Sequence, residues 1–299
     1  MIKDIYYQKG YPDPIFNDEY VLNLVRPFVP NAREVCGIDE TGGEARTYTV
    51  DSNIILKVQR PGQLRLSTSL EREVFFLRYL EKHCDANVPR VLGYGKEGTV
   101  EYTVMTRMPG KAYKYADLTA KQRENMLFEL GKTLYKIHNI DKKPFYESGL
   151  YPDIDVPSDM KERLKARFDR ILNWLLERGH IKHADIDFVG KQAAPIFVEV
   201  PDAEILTPLH SNPGPEHVFV NDDGTFSGLI DFGDSYISHP VFDFRSTHVR
   251  DRSLLLAGYT CDGKELSNNF AELWNAAYAL DSLIDVLRNK KQAKLTNLR

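Results

Sequence analysis

The sequence predicts an α+β fold in two lobes, a smaller one built on an antiparallel sheet with one main helix and a larger, mainly helical one. Three observations carry this. Residues 33–108 alternate apolar and polar side chains in short runs broken by turn residues, with one helical stripe between them. Beyond Gly110 the composition shifts to helix formers with long amphipathic stripes. Finally, 299 residues exceed the roughly 100–200 of one ordinary domain, so two lobes are the default.

The elements follow in chain order. A helix is expected from Asp18 to Phe28, stopped by Pro27 and Pro30. REVCGID, the turn ETGGEA and RTYTVDSNIILKVQR then read as three short antiparallel strands, with Asp51 and Ser52 marking the second turn. From Ser67 to His83, Leu70, Val74, Leu77 and Leu80 fall on one helical face. VPRVLGYGKEG and TVEYTVMTRM form a strand pair around a Gly-rich turn, ending at Pro109 and Gly110. A long helix runs through Met126, Leu130, Leu134 and Ile137, and a second covers 158–179 with Gly179 closing it. A loop at 207–217, a hairpin over 218–233 and further helices complete the chain, whose last ten residues are expected to fray.

Composition excludes several classes. A net charge of −4 gives no general attraction to nucleic acid or anionic lipid, both of which require a basic surface. No run approaches the roughly 20 apolar residues that span a bilayer, and the N-terminal segment lacks the apolar core of a signal peptide, so a cytoplasmic location is expected. Cys36, Cys84 and Cys261 are far apart and show no CxxC spacing, which suggests neither a disulfide framework nor a zinc site. The oligomeric state is open.

Several residues carry the pattern of phosphate and metal chemistry. The turn Thr41-Gly42-Gly43-Glu44 lies between two strands, where small residues let backbone N–H groups approach phosphates; a plain hairpin turn has the same composition. Lys57 is the one polar residue within the apolar strand IILKV, and burying its ammonium is unfavourable unless something negative meets it. Glu73 on the following helix is the natural partner and Glu71 the lesser one, although a surface lysine and a solvated glutamate fit the same residues. The densest block is LHSNPGPEHVFVNDDGTFSGLIDFGDSYISHPVFDF, from Leu209 to Phe244. Here a loop with His210 and His217 precedes a hairpin whose second strand ends in Asp231-Phe232-Gly233-Asp234, placing a carboxylate where Mg²⁺ would find a hard oxygen ligand.

Taken in order, these residues resemble the aminoglycoside phosphotransferase family, relatives of the protein kinases. Its HGDxxxxN loop, G(x)IDFGD strand end and DPxxDL segment match His210–His217, Gly228–Asp234 and the stretch 239–244, and the likeness spans about residues 33–260. The resemblance implies a bilobal protein-kinase-like fold, with a nucleotide-binding lobe at 1–108 and a catalytic, substrate-binding lobe at 109–299. By that similarity ATP or GTP donates phosphate with Mg²⁺ as cofactor, Lys57 holds the phosphates and Glu73 positions it. Backbone groups of Thr106, Arg107 and Met108 meet the base, Asp231 ligates Mg²⁺, His210 shapes the loop and Asp243 braces it from behind. The acceptor is a hydroxylated small molecule, with aminoglycoside or macrolide antibiotics heading the list and hydroxylated metabolites behind them.

Two departures stand out. His217 occupies the family's Asn position, where an imidazole can still ligate metal and where the sequence resembles the macrolide branch. Asn212 occupies the catalytic Asp position; its amide accepts a hydrogen bond but takes no proton, a loss worth on the order of 10² to 10⁴ in rate. This supports a second reading, a nucleotide-binding pseudokinase with a regulatory or partner-binding role. A hydrolase with His210 and His217 as metal ligands lacks a third ligand. Trp174 and Trp274 are expected in the core. Asp234, Asp243, Asp281 and Asp285 are carboxylates that could face a cationic acceptor, the last two sharing one helix face at i, i+4.

Overall fold

In the computed structural model, which describes residues 12–61, 70–151, 160–203, 205–245 and 247–296, period-two alternation decides which side chains of the first lobe face which core. Helix α1 (Asp18–Val25) precedes strands β1 (Val35–Asp39), β2 (Ala45–Val50) and β3 (Ile54–Gln59). Helix α2 (Leu70–His83), β4 (Val91–Glu97) and β5 (Val100–Thr106) follow. The five strands form one antiparallel sheet in the order β1-β2-β3-β5-β4. Ile54, Leu56 and Val58 of β3 point into a small core with Val21, Leu24 and Val25 of α1. Lys57 therefore lies on the opposite face, the one that α2 covers.

That second face belongs to the main core, where Phe76, Leu77 and Leu80 of α2 meet Met105 and the apolar side chains of the larger lobe. Leu70, Val74, Leu77 and Leu80 are buried as their spacing predicts and the helix ends at His83, while the expected first residues, 67–69, lie outside the described ones. Helix α1 stops at Val25, three residues short of the expected end, since Pro27 has no N–H to continue the ladder. The turn between β4 and β5 narrows to Gly98 and Thr99, with Gly98 in the left-handed region.

The larger lobe contains β6 (Lys111–Ala112), α3 (Ala120–His138), α4 (Lys143–Glu147), α5 (Met160–Glu177), α6 (His183–Glu199), β7 (Thr207–Leu209), β8 (Val218–Val220), β9 (Phe226–Leu229), β10 (Tyr236–Ser238), α7 (Arg252–Tyr259) and α8 (Phe270–Thr296). Strands β6, β8 and β9 make one small sheet, and β7 pairs with β10 in another. At the crossing between lobes Gly110 has φ +78°, and a Cβ there would sit 1.9 Å from the carbonyl oxygen of Val220. Any other residue would force the chains apart. Helix α3 starts on a reciprocal cap between Thr119 and Gln122.

Three expectations need correction, and one helix is additional to the expected elements. The loop expected at 207–217 begins as a strand, because Thr207–Leu209 finds its partner in Tyr236–Ser238, 27 or more residues away and invisible to local pattern. Helix α6 has no counterpart among the expected elements: Gly190 and Pro195 interrupt its helix-forming composition, although Ile186, Val189, Ala193, Ile196 and Phe197 fall at helical spacing against the main core. The tail is helical to Thr296 rather than frayed from Lys290. Trp274 is buried at 2% exposure, whereas Trp174 is only partly buried and carries Arg178 4.8 Å above its ring. Among the described residues no helix is long and apolar enough to cross a membrane.

Candidate active site

The site forms where β3, α2 and the segment after β9 meet. Lys57 Nζ lies 2.8 Å from Glu73 Oε2 and 2.8 Å from Asp231 Oδ1, joining three elements in one ion-paired cluster. Glu73 is 1% exposed, and its second oxygen accepts from the Phe232 amide at 3.2 Å, which ties α2 to the segment carrying Asp231. Burial pushes the Lys57 ammonium down, but the charges of Asp231 and Glu73 outweigh it and hold the pKa well above the ordinary lysine range. For Asp231, burial acts upward and the Lys57 charge more than reverses it, keeping the carboxylate ionised. Burial raises Glu73, the second carboxylate sharing a single cation.

Asp231 adopts left-handed geometry at φ +70°, a conformation that costs a non-glycine residue on the order of 1 kcal/mol or more and aims the carboxylate into the cleft. Its Oδ2 faces His217 Nε2 at 3.3 Å. Because His217 Nδ1 donates to the Asn212 carbonyl at 2.8 Å, a neutral His217 presents an Nε2 lone pair to the carboxylate. Two lone pairs in contact repel, and a cation between them relieves the repulsion. This donor pair fits a divalent metal. Among the described residues no cluster of three or more His, Cys, Asp or Glu could hold an ion alone. Such an ion would draw its other ligands from phosphate and water, as Mg²⁺ commonly does.

The loop before β8 is braced from beneath. The buried Asp243 carboxylate accepts the His210 amide at 2.9 Å, the Ser211 amide at 2.6 Å and His138 Nε2 at 2.9 Å. Burial acts upward on Asp243, but hydrogen bonding to His138 and the loop leaves it below the usual carboxylate range. His138, from the last turn of α3, contacts the Tyr259 hydroxyl through Nδ1 at 3.0 Å, so the brace extends to α7. His210 is fully buried. Its Nε2 donates to the Ile230 carbonyl at 2.8 Å and its Nδ1 accepts the Asn212 amide at 3.2 Å, leaving neither nitrogen for a substrate. Burial lowers its pKa and keeps it neutral, which suits both bonds.

Sequence reasoning missed His138, whose partner is 105 residues away, and Ser211. Ser211 stands at the glycine of the HGDxxxxN pattern and has φ +79°, where glycine would be unstrained. The pattern itself held that signal. Asn212 is exposed, and no hydrogen bond engages its side-chain amide among the described residues. It lines a cavity of about 360 Å³ between α5 and α8, with Arg167, Arg245, His248, Tyr278, Asp281 and Asp285 among the other walls.

The remaining predicted residues fall near the cleft with more varied roles. Gly42 and Gly43 do lie between β1 and β2, and the Gly42 carbonyl accepts from Arg60 Nε at 3.0 Å. A Cβ on Gly42 would sit 2.5 Å from the Ala45 carbonyl oxygen, which explains the small residue there. Arg46 and Arg60 clamp this turn through Glu40 and Asp13. In the connector, the Thr106 amide donates to Arg90 O at 2.9 Å and the Arg107 amide to Asn53 O at 2.8 Å. Both amides are thus already engaged, and Met108 is the connector residue without such a bond among the described ones.

Comparisons with known proteins bear on the family and the fold. A family model described as the phosphotransferase enzyme family, APH, matches residues 38–283. Among solved structures, the GDP complex of an aminoglycoside 2'-phosphotransferase-IIIa variant superposes with a TM-score of 0.67 at 14% identity, covering 94% of each chain. ADP-bound aminoglycoside phosphotransferase APH(2'')-Ib gives 0.66 at 17%, covering 90% of each chain. Macrolide 2'-phosphotransferase MphH from Brachybacterium faecium gives 0.63 at 16%, covering 89% of this chain and 90% of its own. A search of curated proteins finds no match. At these identities the structural likeness speaks for the fold, which is the bilobal kinase-like one, while the family match spans most of the sequence: the chain belongs to the APH phosphotransferase enzyme family.

Proposed function

We propose that this chain transfers the γ-phosphate of ATP or GTP to a hydroxyl of a small molecule, using Mg²⁺. The observation that carries the reading is the convergence of Lys57, Glu73 and Asp231 at 2.8 Å contacts in the cleft between the lobes. Asp231 and Glu73 neutralise a buried ammonium whose charge also suits phosphate oxygens. Lys57 binds phosphate oxygens, and Glu73, anchored on Phe232, holds Lys57 in place. Asp231 and His217 hold the metal, which supplies charge neutralisation at the phosphates when bound. Gly42 and Gly43 cover the phosphates, and Met108 in the connector meets the base.

In the transfer, a bond forms from the acceptor oxygen to the γ-phosphorus as the bond to the bridging oxygen breaks, its electron pair leaving with the nucleoside diphosphate. The hydroxyl proton passes to water or a phosphate oxygen, because the Asn212 amide does not take it. Asn212 orients the hydroxyl by accepting its hydrogen bond. His210 and Asp243 position this loop without touching the reacting atoms. Turnover in this form is therefore slow. The neutral Asn212 also favours a second reading, a pseudokinase that binds nucleotide without transferring its phosphate.

The test is a thermal-shift titration of the intact chain with ATP and GTP, with and without Mg²⁺. A nucleotide-dependent rise in melting temperature that grows with Mg²⁺ is expected. No shift with either nucleotide, at any Mg²⁺ concentration, rejects both readings.

A further inference from the structure

The acceptor cavity beside Asn212 has a charge arrangement that the carboxylates in its sequence do not foretell. Asp281 and Asp285 stand one turn apart on α8 and suggest a wall for amines. Yet Asp281 already holds two guanidinium groups: Arg167 Nη1 at 2.6 Å from α5, and Arg245 Nε at 3.3 Å from the segment after β10. Asp243 is consumed by the catalytic loop, and Asp234 does not line the cavity. Of the carboxylates expected to receive a cationic acceptor, Asp281 is thus already engaged by two cations, and Asp243 and Asp234 do not line this cavity.

The arginines are the groups left with capacity. A guanidinium has five N–H donors. Arg167 uses one nitrogen on Asp281, and Arg245 uses Nε on Asp281 and Nη1 on the Phe242 carbonyl. Both side chains keep partial exposure at the cavity, 23% and 16%. Asp281 fixes these two long side chains before any ligand arrives, which cuts the ordering cost of binding and presents a planar fork suited to carboxylate or phosphate. Ile171 and Ile284 supply apolar wall, and the volume of about 360 Å³ is near the small end of ligand pockets.

We infer that the acceptor is a small hydroxylated molecule bearing an anionic group, a carboxylate or phosphate held by Arg167 and Arg245, and not a polyamine sugar. This rests on the phosphotransferase reading, which makes the cavity beside Asn212 the acceptor site. The anionic end docks on the guanidinium pair, and a hydroxyl further along the molecule reaches Asn212.

The experiment compares three six-carbon polyols differing at one terminus, gluconate, sorbitol and glucamine, by competition and by nucleotide-dependent phosphorylation in the Mg²⁺-loaded intact chain. Gluconate is expected to bind about tenfold tighter than sorbitol, the worth of one charge-assisted hydrogen bond, with glucamine the weakest. Arg245→Gln, which leaves the Arg167–Asp281 pair in place, is expected to remove the gluconate preference while leaving sorbitol binding unchanged. Glucamine binding best, or no preference among the three, overturns the inference, as does an Arg245→Gln variant that keeps the full gluconate preference. Nucleotide thermal shift is recorded on the same samples. If nucleotide binds and the polyol order is reversed, the acceptor assignment alone fails; if nucleotide does not bind, the functional reading fails first.

Discussion

Replacing Asn212 with aspartate is expected to raise nucleotide-dependent phosphorylation at least tenfold, toward the 10²- to 10⁴-fold worth of a positioned acid–base group. The loop is ready for the change. Its backbone is fixed by Asp243 through the His210 and Ser211 amides, and by His210 itself, and none of these bonds uses the Asn212 side chain. The substituted carboxylate would stand exposed at the cavity mouth, so it enters without the desolvation cost that a buried charge incurs. Single-turnover assays with a verified acceptor measure the effect. An unchanged rate would remove Asn212 from the transfer step and favour the pseudokinase reading.

The second large effect concerns Lys57. Lys57→Met is expected to abolish detectable transfer and to destabilise the fold by about 3–5 kcal/mol, because Glu73, at 1% exposure, would be left buried without its cation. The two consequences separate in a second variant. Lys57→Met combined with Glu73→Leu removes both buried charges and is expected to recover most of the stability in urea unfolding, while transfer stays absent. Recovered transfer in that double variant would mean that Lys57 serves the fold and not the phosphates.

Much of this site is legible in the sequence because its parts are chemically unusual where they stand. A lysine inside an apolar strand and an aspartate ahead of Phe-Gly at a strand end announce themselves, even though the two contact each other across 174 residues. Helix α2 and strands β2 and β3 are equally legible, since α2 keeps an apolar stripe and the two strands alternate in burial along their length. Other features depend on partners that local pattern does not encode. His138 looks like the end of an amphipathic stripe, and only the fold brings it to Asp243. Asp281 reads as a free carboxylate until α5 brings Arg167 to it from 114 positions away. Gly190 and Pro195 mask helix α6 despite its apolar stripe, and β7 is a three-residue strand defined wholly by β10.

The central claim is that Lys57 and Asp231 act on one metal-bound triphosphate. The most direct measurement is a crystal structure with a non-hydrolysable nucleotide and Mn²⁺, read by anomalous scattering. The account predicts a manganese peak in contact with the Asp231 carboxylate, close to His217 Nε2, and a phosphate oxygen within hydrogen-bond distance of Lys57 Nζ. A nucleotide seated outside the cleft, or a metal held without Asp231, would contradict it.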